Sequence, residues 1–135
     1  MAVHGDITDV TYNHPTLGSG RFLPKAAEGN TYDPGGIRNA DDANMISGGG
    51  NLILKKNRVR GFVECVIEDD QNIQEDALTV AALAADPQAA TWTWTMINGA
   101  VYQGEGWPVG DIQPNIDDGT MTLKVAVPTL EKILG

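Results

Sequence analysis

Thr91-Trp92-Thr93-Trp94-Thr95-Met96, followed by Asn98-Gly99 and Ala100-Val101-Tyr102, decides the fold class. Trp92, Trp94 and Met96 alternate with three threonines, the period of two expected of a half-buried strand built from aromatic and β-branched residues. Asn-Gly favours the positive backbone angles of a tight hairpin, so the runs on either side of it are predicted to pair antiparallel.

Working outward, Asp118-Gly119 is a second turn signal, and it precedes Thr120-Met121-Thr122-Leu123-Lys124-Val125-Ala126-Val127. There Met121, Leu123, Val125 and Val127 share one face, opposite Thr120, Thr122 and Lys124. Upstream, Val59, Gly61, Val63, Cys65 and Ile67 alternate with Arg58, Arg60, Phe62, Glu64, Val66 and Glu68, which predicts one long strand. Leu52-Ile53-Leu54 reads as its partner, joined through Lys55-Lys56-Asn57. Ile7 to Tyr12 adds an early strand. One helix is expected, over Gln74 to Ala85, with Asn72 as N-cap and Glu75 reaching back to it. Asp86-Pro87 stops that helix, because the residue before proline is pushed out of helical geometry. Leu78, Ala81, Ala82 and Ala85 form the stripe expected to pack on the sheets. Residues 13 to 50 hold many Gly, Pro, Asn and Asp, including Tyr32-Asp33-Pro34-Gly35-Gly36 and Ser47-Gly48-Gly49-Gly50. They read as an extended loop or arm, ordered by contact with another subunit, since long structureless loops in small domains usually bind something. The fold class is therefore mainly β, an antiparallel sandwich or small barrel with one flanking helix and a long N-terminal arm.

The 135 residues fit a single domain, 1–135. No stretch approaches the roughly 20 consecutive apolar residues that span a bilayer. Met1-Ala2-Val3-His4-Gly5 lacks the basic start and apolar run of a signal peptide, so synthesis in the cytoplasm and no membrane partner are expected. Nine Lys and Arg against eighteen Asp and Glu give a net charge of −9. That balance argues against specific nucleic-acid binding, which needs a positive footprint on phosphate. It suits either a soluble surface or one that DNA passes without sticking.

Catalytic patterns are missing. His4 and His14 stand ten apart, there is one cysteine, and neither H-E-x-x-H nor G-x-S-x-G occurs. Gly48-Gly49-Gly50 lacks the Lys and Ser or Thr of a phosphate loop. Asp41-Asp42, Asp69-Asp70 and Asp117-Asp118 lack the spaced oxygens of a calcium loop and read as solvated turns. The expectation is no enzyme, no metal and no cofactor. Cys65, in an alternating apolar run, reads as a small buried hydrophobe. Trp92 and Trp94 read as core. Trp107, between Gly106 and Pro108, reads as core or subunit-interface packing, with ligand contact as the alternative.

The order of His14-Pro15-Thr16-Leu17-Gly18, Arg21-Phe22-Leu23-Pro24-Lys25, Tyr32-Asp33-Pro34-Gly35-Gly36, Asp41-Asp42-Ala43-Asn44, a long strand, one Ala/Leu helix and Gly104-Glu105-Gly106-Trp107-Pro108-Val109-Gly110-Asp111-Ile112 resembles the tail tube proteins of bacteriophages. The resemblance covers nearly the whole chain through motifs that are individually soft. It implies hexameric rings that stack into a tube for DNA ejection, a virion location, and a fold similar to type VI secretion tube proteins. Implied partners are further copies of the chain, tail sheath, tape measure and baseplate proteins, and viral DNA passing without specific binding. Residues 30 to 50 would be the inter-ring loop, with Tyr32, Asp33, Ile37, Arg38, Asp41, Asp42, Asn44 and Met45 in it. Glu64, Glu68, Asp69, Asp70, Thr93, Thr122 and Lys124 are the lumen candidates, and Phe22, Arg58, Arg60 and Trp107 the interface candidates. Another virion sandwich subunit, at the baseplate or capping the tube, is the alternative. So is a small carbohydrate-binding module, which would need Trp107 or Tyr102 exposed beside polar groups.

Overall fold

The computed structural model describes residues 5–25, 30–39, 45–53, 55–70 and 76–134. Among them the elements run β1 (Ile7–His14), β2 (Gly18–Phe22), β3 (Thr31–Asp33), β4 (Gly36–Asn39), β5 (Met45–Ile46), β6 (Leu52–Ile53), β7 (Lys56–Val59), β8 (Gly61–Glu68), α1 (Asp76–Ala85), β9 (Ala90–Met96), β10 (Val101–Val109), β11 (Thr120–Val127) and β12 (Glu131–Leu134). The chain is mainly β with one flanking helix.

Eight strands form one antiparallel sheet in the order β2-β1-β9-β10-β11-β8-β3, with β12 added on β10. β10 is the seam. Its residues 101–106 pair with β9, and Trp107 to Val109 pair with β11. The sheet thus bends into two layers that share one core. Val10, Phe22, Trp92 and Trp94 come from one layer, and Val63, Cys65, Ile67, Leu123 and Val125 from the other. Trp92 and Trp94 are fully buried and stacked at 6.4 Å. Each removes about 150–250 Å² from water, roughly 4–6 kcal/mol before entropy is charged against it. The sheet does not close into a barrel, although the chain leaving β2 reaches across to β8: Lys25 N–H donates to Val66 O, and Glu68 N–H to Leu23 O.

The Asn98-Gly99 hairpin forms as expected, with Gly99 at φ 93° and the Met96 N–H donating to Ala100 O at 2.8 Å. β11 likewise buries Met121, Leu123, Val125 and Val127. Four expectations need correction. First, the long strand breaks at Arg60, because Gly61 sits so close to Asp33 O that a Cβ there would lie 2.7 Å from it. Second, Leu52-Ile53 pairs with β5, whereas β8 pairs with β11 and β3. Third, residues 13 to 50 are not one loop: β1 runs to His14, and β2, β3, β4 and β5 follow. Fourth, α1 buries Asp76, Val80 and Leu83 while Leu78 is exposed, since the branched side chains fill the core better than the alanine stripe does. Asn72 and Glu75, the expected cap, lie outside the described residues.

Candidate functional site

The most distinctive surface is an arm. β4 pairs with β7 from Gly36↔Val59 to Asn39↔Lys56, and β5 pairs with β6 beyond it, around a Ser47–Asn51 turn held by Ser47 N–H to Asn51 O at 2.8 Å. Among the arm residues whose burial is described, none belongs to the core cluster. Ile37, Ile46 and Leu52 are 63%, 73% and 61% exposed. Two-stranded hairpins are marginal alone in water, so this one needs something to lie against.

The arm leaves the body through a built root. Gly35 and Gly36 take φ 74° and 107°, which side-chain-bearing residues rarely adopt. Gly35 packs directly on the Gly61 backbone. Leu130 N–H donates to Pro34 O, and Gly35 N–H to Asp33 Oδ1 at 2.9 Å. Arg38 pairs with Asp33, donating to Oδ2 at 3.2 Å and more closely to Oδ1. That guanidinium is the main reason the Asp33 carboxyl is held below its ordinary range, helped by the Gly35 N–H. Tyr32 sits beside Tyr102, ring centroids 5.5 Å apart. Of the expected inter-ring residues, Ile37 and Arg38 therefore lie on the arm and Tyr32 and Asp33 at its root. Met45 is in β5, while Asp41, Asp42 and Asn44 lie outside the described residues.

The lumen candidates do not form one surface. Thr93 lies on the outer face of the first layer, with Thr11, Asn13, Thr91, Thr95 and Gln103 in register around it and the carboxylate-bearing Asp9 and Glu105 opposite Thr95 and Thr91. Glu64, Glu68, Thr122 and Lys124 lie on the outer face of the other layer, where Lys124 is opposite Glu64 and its ammonium sits 4.5 Å from the Phe62 ring centroid. Asp69 and Asp70 follow the end of β8. Sequence alternation marks these residues as outward but not which outward face each takes.

Among the interface candidates, Phe22 is a correction. It is 1% exposed and stacks on Tyr12 at 5.5 Å, because pairing with Val10 turns it inward. Arg58 is on the arm and Arg60 at its root, both exposed. Trp107 is 40% exposed, and its indole N–H donates to Asp86 O at 2.9 Å, tying β10 to the end of α1. Among the described residues the sheet has unpaired edges at β2 and β3, and β12 is exposed throughout, including Ile133 and Leu134.

His14, which in sequence falls in the Gly- and Pro-rich stretch after β1's apolar run, is 2% exposed. Its Nδ1 accepts from the Thr16 and Leu17 N–H groups at 3.1 and 3.0 Å, and Nε2 lies 3.0 Å from Gln88 O and 3.2 Å from Asp86 Oδ1. An acceptor Nδ1 places the proton on Nε2, so the ring joins the β1–β2 turn to the segment after α1. Cys65 is buried, and desolvation pushes its thiol up to about 12, with Glu64 adding to the shift. Burial also raises the Asp76 carboxyl, against the Asp70 N–H bond that lowers it. Among the described residues no group of three or more His, Cys, Asp or Glu could hold a metal ion, and no helix is long and apolar enough to cross a membrane. No protein-family model matches the chain, and no curated protein sequence matches it.

Proposed function

We propose that this chain is the structural subunit of a phage tail tube, assembling into hexameric rings that stack around a channel for DNA. The observation that carries the reading is the arm: two short two-stranded ladders on a built root outside the core, displaying Ile37, Ile46 and Leu52 uncovered among the described residues. Such a device fits a contact between copies. The open edges at β2, β3 and β12 add the means for sheets of neighbouring copies to join, a use of edges that would otherwise be an aggregation hazard. Heterologous contacts of this kind close into rings when the rotation permits. The mainly β fold with one flanking helix supports the sandwich expected for such subunits.

For the lumen wall we favour the face of Thr11, Asn13, Thr91, Thr93, Thr95 and Gln103. Most of these are hydroxyl and amide side chains, the same face carries the carboxylates of Glu105 and Asp9, and its Arg21 is matched by Asp9 at 3.3 Å. A wall without a continuous basic track avoids the counterion-release energy that would hold DNA in place. The carbohydrate-module alternative keeps one of its two aromatics, since Trp107 is 40% exposed with its indole N–H on Asp86 O, while Tyr102 lies against Tyr32. Sedimentation velocity across a concentration series is the test. Ring-sized or larger species growing with concentration are expected, and a monomer at every concentration contradicts the proposal.

A further inference from the structure

Charge is distributed very unevenly along this chain. Between positions 33 and 60 lie five of the nine basic residues and three of the eighteen acidic ones, so this stretch carries +2 and the remainder −11. The stretch is the arm with its root: Arg38 on β4, Lys55 beside β7, Lys56 and Arg58 on β7, and Arg60 at the junction with β8, all exposed.

The far end of β8 is the acidic pole. Glu68 ends the strand, Asp69 and Asp70 follow it, and Asp117 and Asp118 lie in the turn before β11. Thr120 pairs with Glu68, and the Asp69 N–H donates to Gly119 O at 2.8 Å, which brings the two acidic segments together. Lys25 is the one basic residue in the described segments that meet there, 23–25, 66–70 and 115–120. Running from Gly61 to Glu68, β8 holds the two poles about 24 Å apart at about 3.4 Å per residue. One strand therefore has a basic, apolar-tipped hairpin at its start and a knot of carboxylates at its finish.

We infer that the basic arm of one copy seats on the acidic pole of a second copy, head to tail, so that assembly grows along the direction of β8 with a single polarity. The inference deepens the tube-subunit reading and rests on it. Charge complementarity identifies the occupant: a +2 arm has its natural counterpart in the −11 body of its own kind, and opposed charges set register and direction in an interface. Ile46 and Leu52 supply the apolar contact that charge alone lacks. Duplex DNA would also attract the arm, but the acidic body repels it, and the three exposed aliphatic side chains gain nothing from phosphate.

A charge swap in the full chain tests this. Arg58→Glu with Arg60→Glu, and separately Glu68→Lys with Asp117→Lys, should each raise the critical concentration for polymer, read by sedimentation, by about tenfold or more. The fourfold variant, with arm and pole both reversed, should return toward wild type, which also shows that the altered positions do not compromise folding. Polymerisation of either double variant at the wild-type concentration, or no recovery in the fourfold variant, overturns the inference. So does an arm reversal that leaves polymer unchanged while abolishing retardation of a duplex DNA probe. Negative-stain images separate the two levels. Hollow tubes indifferent to these charges sink the inference alone, and charge-dependent solid filaments without a channel sink the tube reading alone. Absence of any association sinks both.

Discussion

Replacing Gly106 with alanine would strike the seam at which one sheet becomes two layers. A Cβ at this position would overlap the Ala126 carbonyl oxygen outright and lie 2.9 Å from its carbon, so β10 and β11 would have to separate where they cross. The obstructing atoms are main chain and cannot rotate aside. The indole N–H of Trp92, which donates to Gly106 O at 3.1 Å, would lose its geometry in the same movement. Overpacking of a core usually costs about 1–3 kcal/mol, and a backbone obstruction belongs at or above the top of that range. A loss of about 3 kcal/mol, at a urea dependence of about 1.5–2 kcal/mol per molar, lowers the unfolding midpoint by about 1.5–2 M. The assay is equilibrium urea unfolding followed by tryptophan fluorescence, under conditions where the protein is unassembled. Gly49→Ala serves as the control, since nothing lies within 4 Å of its added methyl, and it should fall within about 0.5 kcal/mol of wild type. If Gly106→Ala unfolds within about 0.5 kcal/mol of wild type as well, the close crossing of β10 and β11 is refuted.

Excising the arm should separate folding from assembly. Ile37 and Arg58 are directly paired, so an Asn-Gly turn joining them in place of residues 38–57 keeps the Gly35–Gly61 contact of the root and loses the exposed Arg38–Asp33 pair, and the shortened chain should unfold within about 1 kcal/mol of wild type yet form no stacked polymer; long tubes from it would remove the arm from the assembly. Cys65 should resist a thiol reagent at pH 8 in the native protein and react on unfolding. Its thiol rises from an ordinary value of 9.0 to about 12 in the fold, so its contribution to stability is complete below pH 9 and is lost as pH rises toward 12. Rapid native labelling contradicts the burial. His14→Ala strands the Thr16 and Leu17 N–H groups and the Gln88 carbonyl, and should cost about 3 kcal/mol in the same urea assay; an unchanged midpoint would mean the ring is not the link between those loops.

What could be read from sequence was whatever had local period and a local turn. The Thr/Trp alternation of β9, the Asn98-Gly99 hairpin and the apolar face of β11 each announce themselves within about ten residues. The arm did not, because its ladders are two to four residues long and its pairs join Gly36 to Val59 and Met45 to Ile53 across the chain. Periodicity carries no information at that length, so Gly- and Asn-rich strands were read as loop. Phe22 and His14 face inward only because β2 folds back on β1 and α1 ends beside that turn. Both facts are non-local. The alanine stripe is a poor guide to the helix face, because Val80 and Leu83 are the apolar side chains that α1 buries. For the candidate site, the arm's approximate place was legible from composition, whereas the division of Thr93 from Glu64 and Lys124 onto opposite faces required the bend in the sheet at β10.

Negative-stain electron microscopy of the purified full chain tests the central claim most directly. The account predicts rings with an open centre that stack into tubes as concentration rises. A field of single small particles at every concentration, or filaments with no channel, would contradict it.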